Sequence, residues 1–162
     1  MRSRMTPNLK RETDGKSVTV GRRKRGYREA KTPLRVLVVE DSPDDAALLL
    51  HELRSGGYEA YFERVETPEA MENALAGGRW DVVISDHEMP RLSAPAALGV
   101  LGESGLDLPF IIVSGHIGED VAVEVMRAGA QDCITKGNLV RLCPAIEREL
   151  REAPGTQERR RG

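Results

Sequence analysis

Cysteine is scarce in this sequence, and export signals and long apolar runs are missing. Each of these features excludes one class of protein from consideration. Cys133 and Cys143 are its two cysteines, and they form neither a C-x-x-C pair nor a zinc-binding pattern. No apolar run approaches the roughly 20 residues that span a bilayer. The N-terminus is basic but lacks the apolar stretch of a secretory signal. These absences predict a cytoplasmic protein with reduced thiols and no contact with a membrane.

The net charge of −2 conceals an uneven distribution of charge along the chain. Residues 1–32 carry 11 Lys and Arg against 3 Asp and Glu, whereas residues 33–152 carry 10 against 22. The basic segment has no apolar periodicity, so we predict a disordered N-terminal tail over 1–32 and a folded domain over 33–152. The short remainder, 153–162, is predicted to be a disordered C-terminal tail with no output domain after it.

The basic run at 21–25, GRRKR, leaves two interpretations of the N-terminal tail open. Clustered arginine and lysine bind nucleic acid or anionic lipid without sequence specificity. The same run also serves as a solvated, solubilising tail, which is the interpretation we favour. Nucleic-acid binding beyond this non-specific kind is not expected, because no helix-turn-helix pattern is present.

From residue 33 onward, short apolar runs alternate with amphipathic segments. The run at 34–40 is β-branched and almost wholly apolar, which is typical of a strand buried on both faces of a parallel sheet. Ser42 and Thr67 each precede a proline and then acidic residues, a pattern that predicts a capped helix start. Pro144 is incompatible with a helix interior, so the last helix is predicted to begin near it.

Five repeats of strand then helix predict an α/β fold. Right-handed crossovers favour a doubly wound, five-stranded parallel sheet with helices on both faces. The five strands are predicted at 34–40, 60–65, 80–86, 109–115 and 132–136. In such sheets ligands bind at the carboxyl ends of the strands, near the point where the strand order reverses.

Polar side chains stand at the ends of four of these strands, where they would meet at one edge of the sheet. They are Glu40, Asp41, Asp86, Ser114 and Lys136. Clustered carboxylates repel one another unless a proton or cation neutralises them, and Mg²⁺ prefers such oxygen ligands. A lysine adds a second positive charge, a serine hydroxyl can donate to a phosphoryl oxygen, and an aspartate can act as the nucleophile. A single Asp at the end of a strand is usually a cap or turn residue. The placement of all five residues at strand ends instead favours a phosphoryl-transfer site.

Four motifs in fixed order carry a family resemblance over about 34–152. They are VLVVEDSPDD, VVISDHEMP, FIIVSG and GAQDCITK. Together they resemble the CheY-like receiver domain of two-component response regulators, which implies the flavodoxin-like (βα)5 fold with strand order 2-1-3-4-5. The later motifs are most similar to receivers found beside PAS and histidine-kinase modules.

The resemblance implies a role for each strand-end residue. Asp86 resembles the phosphoacceptor, Ser114 the hydroxyl that turns toward the phosphoryl group, and Lys136 the lysine that binds it. Glu40 and Asp41 resemble the acidic pair that holds Mg²⁺ together with Asp86, and Glu88 resembles the residue whose backbone carbonyl contacts the metal. The implied donor is a phosphohistidine on a sensor histidine kinase or a histidine phosphotransfer protein.

Several positions outside these residues depart from the family, and Cys133 is the one that concerns output. Cys133 stands three residues before Lys136, where many receivers have an aromatic ring that changes rotamer on phosphorylation. A thiol cannot make that movement, so the output step must differ. The output surface implied by the family is roughly 119–150, which is also the surface for a possible homodimer.

Besides a switch that also contacts nucleic acid through its basic tail, three functions are considered for the domain. The first is a phosphorylated switch that signals through protein contacts and is not an enzyme beyond its own phosphorylation and dephosphorylation. The second is a phosphate-independent binding scaffold with the same fold, and the third is an aspartate-dependent phosphatase. The phosphatase generally needs an Asp two residues after the nucleophile as a general acid, where this chain has Glu88.

Overall fold

The computed structural model describes residues 31–87 and 89–152, and five parallel strands form a single sheet within those residues. The strands are β1 (Thr32–Val39), β2 (Tyr58–Val65), β3 (Val82–Ser85), β4 (Phe110–Ser114) and β5 (Asp132–Thr135). Their spatial order is β2-β1-β3-β4-β5, and every neighbouring pair is parallel. The predicted strand order is confirmed, with β2 and β5 at the edges.

Helices follow each strand and cover both faces of the sheet. They are α1 (Pro43–Ser55), α2 (Pro68–Gly77), α3 (Ala94–Ser104), α4 (Glu119–Ala128) and α5 (Leu142–Glu152), with a 3₁₀ helix at Lys136–Arg141. Among the described residues, no helix is long and apolar enough to cross a membrane. The predicted tails at 1–32 and 153–162 lie outside the described residues, apart from residues 31 and 32.

The central strands supply side chains to two separate hydrophobic cores. Val36 and Val38 pack on one face with α1 and α5, whereas Leu37 and Val39, which alternate with them, pack on the other with α2, α3 and α4. All four side chains are fully buried. This burial on both faces explains why the sequence at 36–39 is continuously apolar rather than alternating.

Capping residues fix where the first two helices begin. The Ser42 side chain accepts a hydrogen bond from the Asp45 backbone, and the Thr67 side chain accepts one from Ala70, as the sequence predicts. The last helix begins two residues earlier than predicted, at Leu142. Pro144 then lies in the first turn, where its missing N–H removes no helical hydrogen bond.

A close approach between α1 and α5 makes Gly56 sensitive to size. A methyl group on Gly56 would lie closer to Cys143 Sγ than nonbonded atoms can approach. We therefore expect Gly56→Ala to cost about 1–3 kcal/mol of stability through overpacking. Cys143→Ala should relieve part of that cost in the double variant, which urea denaturation of the four proteins measures. Additive losses in the double variant would contradict this packing.

Candidate functional site

The site lies where the strand order reverses, at the carboxyl ends of the parallel strands. β1 pairs with β2 on one side and with β3 on the other, so the connections after β1 and β3 run to opposite faces of the sheet. Glu40 directly follows β1 and Asp86 directly follows β3. The Asp86 backbone N–H donates to the Val39 carbonyl at 2.9 Å, which ties the two strand ends together.

Three carboxylates converge at this crevice. Oxygen atoms of Glu40, Asp41 and Asp86 all lie within 4.8 Å of one another. Glu40 is 1% exposed and Asp86 is 8% exposed, whereas Asp41 faces solvent. The predicted convergence of these residues is therefore present, with two carboxylates buried and one at the mouth.

Burial disfavours the ionised form of the Glu40 carboxyl. Desolvation is the main cause that raises its pKa to about 7, and the nearby charge of Asp86 raises it further. A hydrogen bond from the Ser42 backbone N–H to Glu40 Oε2, 3.2 Å long, and the ammonium of Lys136 act in the opposite direction. A cation bound beside Glu40 would favour the ionised form of this carboxyl, because an opposite charge offsets the cost of burial.

Lys136, the first residue after β5, supplies an ammonium to the same crevice. Its Nζ atom lies 3.2 Å from Glu40 Oε1 and 3.5 Å from Asp86 Oδ2. Burial alone would lower the pKa of Lys136, but a hydrogen bond to Asp45 and the charges of Asp86 and Glu40 outweigh burial and raise that pKa above its usual range. The lysine therefore stays protonated at neutral pH.

Ser114 ends β4 with a hydroxyl buried inside the domain. Its side chain is fully buried, and its Oγ makes no hydrogen bond within the part of the chain that the structure describes. A buried hydroxyl without a partner costs free energy, so it is suited to a ligand that can accept its hydrogen bond. Glu88, the remaining predicted site residue, lies outside the described residues.

Two contacts at the site were not predicted from sequence. Asp45 Oδ2 lies 2.6 Å from Lys136 Nζ, although the sequence indicated only that Asp45 stabilises the start of a helix. Arg64 Nη1, at the end of β2, donates to the Glu40 carbonyl at 3.2 Å. Neither contact has a local signal, because each depends on how separate strands and helices pack.

The donor set fits a small divalent cation. Mg²⁺ is typically bound by one or two carboxylates together with waters and phosphate oxygens. Glu40, Asp41 and Asp86 provide carboxylate oxygens that lie within 4.8 Å of one another, close enough to bind one ion together. These three residues would hold the ion.

Comparisons of the sequence with known proteins point to one family. The sequence-family model for the response regulator receiver domain matches residues 36–147 of this chain. The response regulator protein FleR of Pseudomonas aeruginosa is 34% identical over 126 residues, which cover 76% of this chain and 26% of FleR. The chain therefore spans about a quarter of the length of that relative.

Solved structures agree with the sequence comparison. The signal receiver domain of a LuxO repressor protein from Vibrio parahaemolyticus superposes with a TM-score of 0.65 at 27% identity, covering 75% of this chain and 92% of that one. The receiver domain of a signal transduction histidine kinase from Syntrophus aciditrophicus gives a TM-score of 0.62 at 29% identity, with the same two coverages.

Proposed function

Because the chain belongs to the response regulator receiver domain family, we propose that it accepts a phosphoryl group on Asp86 and signals through protein contacts. Receiver domains receive phosphoryl groups from sensor histidine kinases or phosphotransfer proteins and bind Mg²⁺ at their acidic pocket. The observation that carries the proposal is the convergence of Glu40, Asp41 and Asp86 with the Lys136 ammonium at the point where the strand order reverses.

The proposed reaction is an in-line transfer between two nucleophiles. A carboxylate oxygen of Asp86 attacks the phosphorus of a phosphohistidine, forming an O–P bond as the N–P bond breaks. The bonding electrons return to the imidazole nitrogen of the donor, and Asp86 becomes an aspartyl phosphate. Hydrolysis of that acyl phosphate by water would later restore the carboxylate and release phosphate.

Each neighbouring residue has a proposed part in this transfer. The Lys136 ammonium would bind a phosphoryl oxygen, and the buried Ser114 hydroxyl would donate a hydrogen bond to another. Glu40 and Asp41 would hold Mg²⁺ with Asp86 and with the backbone carbonyl of Glu88. The bound ion would neutralise phosphoryl charge during the transfer.

The proposed output is a change in protein contacts. The segment 119–150 carries exposed apolar side chains, including Val123, Met126 and Val140, and would bind a downstream target or a second copy. We propose that the domain catalyses nothing beyond its own phosphorylation and dephosphorylation. We also propose that the protein is cytoplasmic.

Removing Mg²⁺ provides the first test. We expect the wild-type protein with acetyl phosphate and Mg²⁺ to gain one phosphoryl group, read by intact mass and assigned to Asp86 by peptide mapping. Excess EDTA should reduce the phosphorylated fraction to background, because the carboxylates would then repel the incoming anion. A folded protein that gains nothing with Mg²⁺ present would instead support the phosphate-independent scaffold.

A further inference from the structure

The closest partner of Lys136 is a carboxylate outside the proposed phosphoacceptor pocket. Lys136 Nζ lies 2.6 Å from Asp45 Oδ2, compared with 3.2 Å to Glu40 and 3.5 Å to Asp86. The Asp45 side chain is 35% exposed, whereas that of Asp86 is 9% exposed. The ammonium is thus drawn toward the solvent side of the crevice.

The start of α1 fixes Asp45 in this place. Asp45 is the third residue after the capping residue Ser42, and its backbone N–H donates to Ser42 Oγ at 3.2 Å. An acidic side chain at that position can turn back and accept from the N–H of the capping residue. Here the Ser42 N–H already donates to Glu40 Oε2, and the Asp45 carboxylate contacts Lys136 instead.

We propose that Asp45 is a positioning residue that holds the Lys136 ammonium back from Asp86 and thereby opposes phosphorylation. This inference rests on the proposed function of Asp86. A phosphoryl group on Asp86 brings a charge of about −2 that competes for the same ammonium. Moving Lys136 to the phosphoryl oxygens weakens its contact with Asp45, and the Asp45 carboxylate also repels the phosphoryl group. Both effects favour the unphosphorylated domain.

Neutralising Asp45 should therefore favour the phosphorylated state. For Asp45→Asn we expect the half-saturating concentration of beryllofluoride, a phosphoryl analogue, to fall about fivefold in the presence of Mg²⁺, the effect of one partly exposed charge pair. The phosphorylated fraction at a limiting, fixed concentration of acetyl phosphate should rise. In that reaction a carboxylate oxygen of Asp86 bonds to phosphorus while the acetyl O–P bond breaks and acetate leaves.

Matched variants separate positioning from general effects of charge or stability. Asp44→Asn removes a neighbouring, exposed carboxylate from the same helical turn and should leave both readouts unchanged. Asp45→Glu keeps the negative charge and should stay close to wild type. Asp45→Ala provides a second neutral substitution in case Asp45→Asn lowers stability, which circular dichroism and urea denaturation report.

The possible results distinguish this inference from the proposed function. Tighter beryllofluoride binding in Asp45→Asn alone supports the inference. Equal or weaker binding in Asp45→Asn, with a wild type that is phosphorylated, overturns the inference and leaves the function of Asp86 intact. An equal gain in Asp44→Asn overturns it as well, because the effect would then be one of net charge. A wild type that responds to neither reagent overturns the proposed function and, with it, this inference.

Discussion

Asp86→Asn is expected to abolish phosphorylation of this protein. The amide is nearly isosteric with the carboxylate but lacks the nucleophilic oxygen anion, so no aspartyl phosphate can form. Acetyl phosphate with Mg²⁺ should add one phosphoryl group to the wild type and none to the variant, as read by intact mass. Asp86→Ala, which removes the side chain, should behave in the same way.

A suitable control lies at the opposite end of the same strand. Asp81 accepts a hydrogen bond from the Arg35 backbone N–H at 2.8 Å and precedes β3, whereas Asp86 follows it. Asp81→Asn keeps an oxygen acceptor for that bond and should be phosphorylated like the wild type. A phosphoryl group on folded Asp86→Asn, mapped to another carboxylate, would show that the acceptor has been misassigned.

Phe110→Ala is expected to remove much of the stability of the domain. Phe110 begins β4, an interior strand of the sheet, its side chain is fully buried, and it belongs to the hydrophobic core that includes α2 and α3. Truncation of such a side chain typically costs about 3–5 kcal/mol. Because domains are typically stable by only about 5–15 kcal/mol, this loss is large. Urea denaturation followed by the fluorescence of Trp80, the single tryptophan, measures it.

The other phenylalanine of the chain offers an internal comparison. Phe62 lies on the edge strand β2 and is 44% exposed. Phe62→Ala removes the same atoms from a half-solvated position, so its cost should stay below about 1 kcal/mol. Comparable losses for the two substitutions would mean that the edge of the sheet is packed as tightly as its centre.

The fold could be predicted from sequence because its signals are local. The apolar run of β1 and the caps at Ser42 and Thr67 each occupy a few consecutive residues, and repetition of the strand–helix unit leaves few topologies. Strand boundaries were less accurate: β2 begins at Tyr58 rather than 60. Tyr58 and Ala60 are buried against α1, while Glu59 between them is exposed, so the partly polar sequence concealed the start of the strand.

The site was predictable only where a residue stands at a strand end. Glu40, Asp86 and Lys136 converge because parallel strands end at the same edge of the sheet, which the strand pattern implies. Asp45 escaped prediction because its contact with Lys136 joins residues 91 positions apart, one on α1 and one after β5. In the sequence, Asp45 is indistinguishable from any acidic residue in the first turn of a helix.

The location of Lys136 beside an edge strand has a consequence for the temperature range over which the protein can respond. β5 contains four residues and pairs with β4 alone among the described strands, so its hydrogen bonds can open without unfolding the rest of the sheet. Such fraying would move the ammonium away from the carboxylates, and it would also withdraw the fully buried Ile134 from one hydrophobic core. For the proposed function, the upper temperature for phosphorylation would therefore be set by how firmly β5 and its buried Ile134 are held against the rest of the domain.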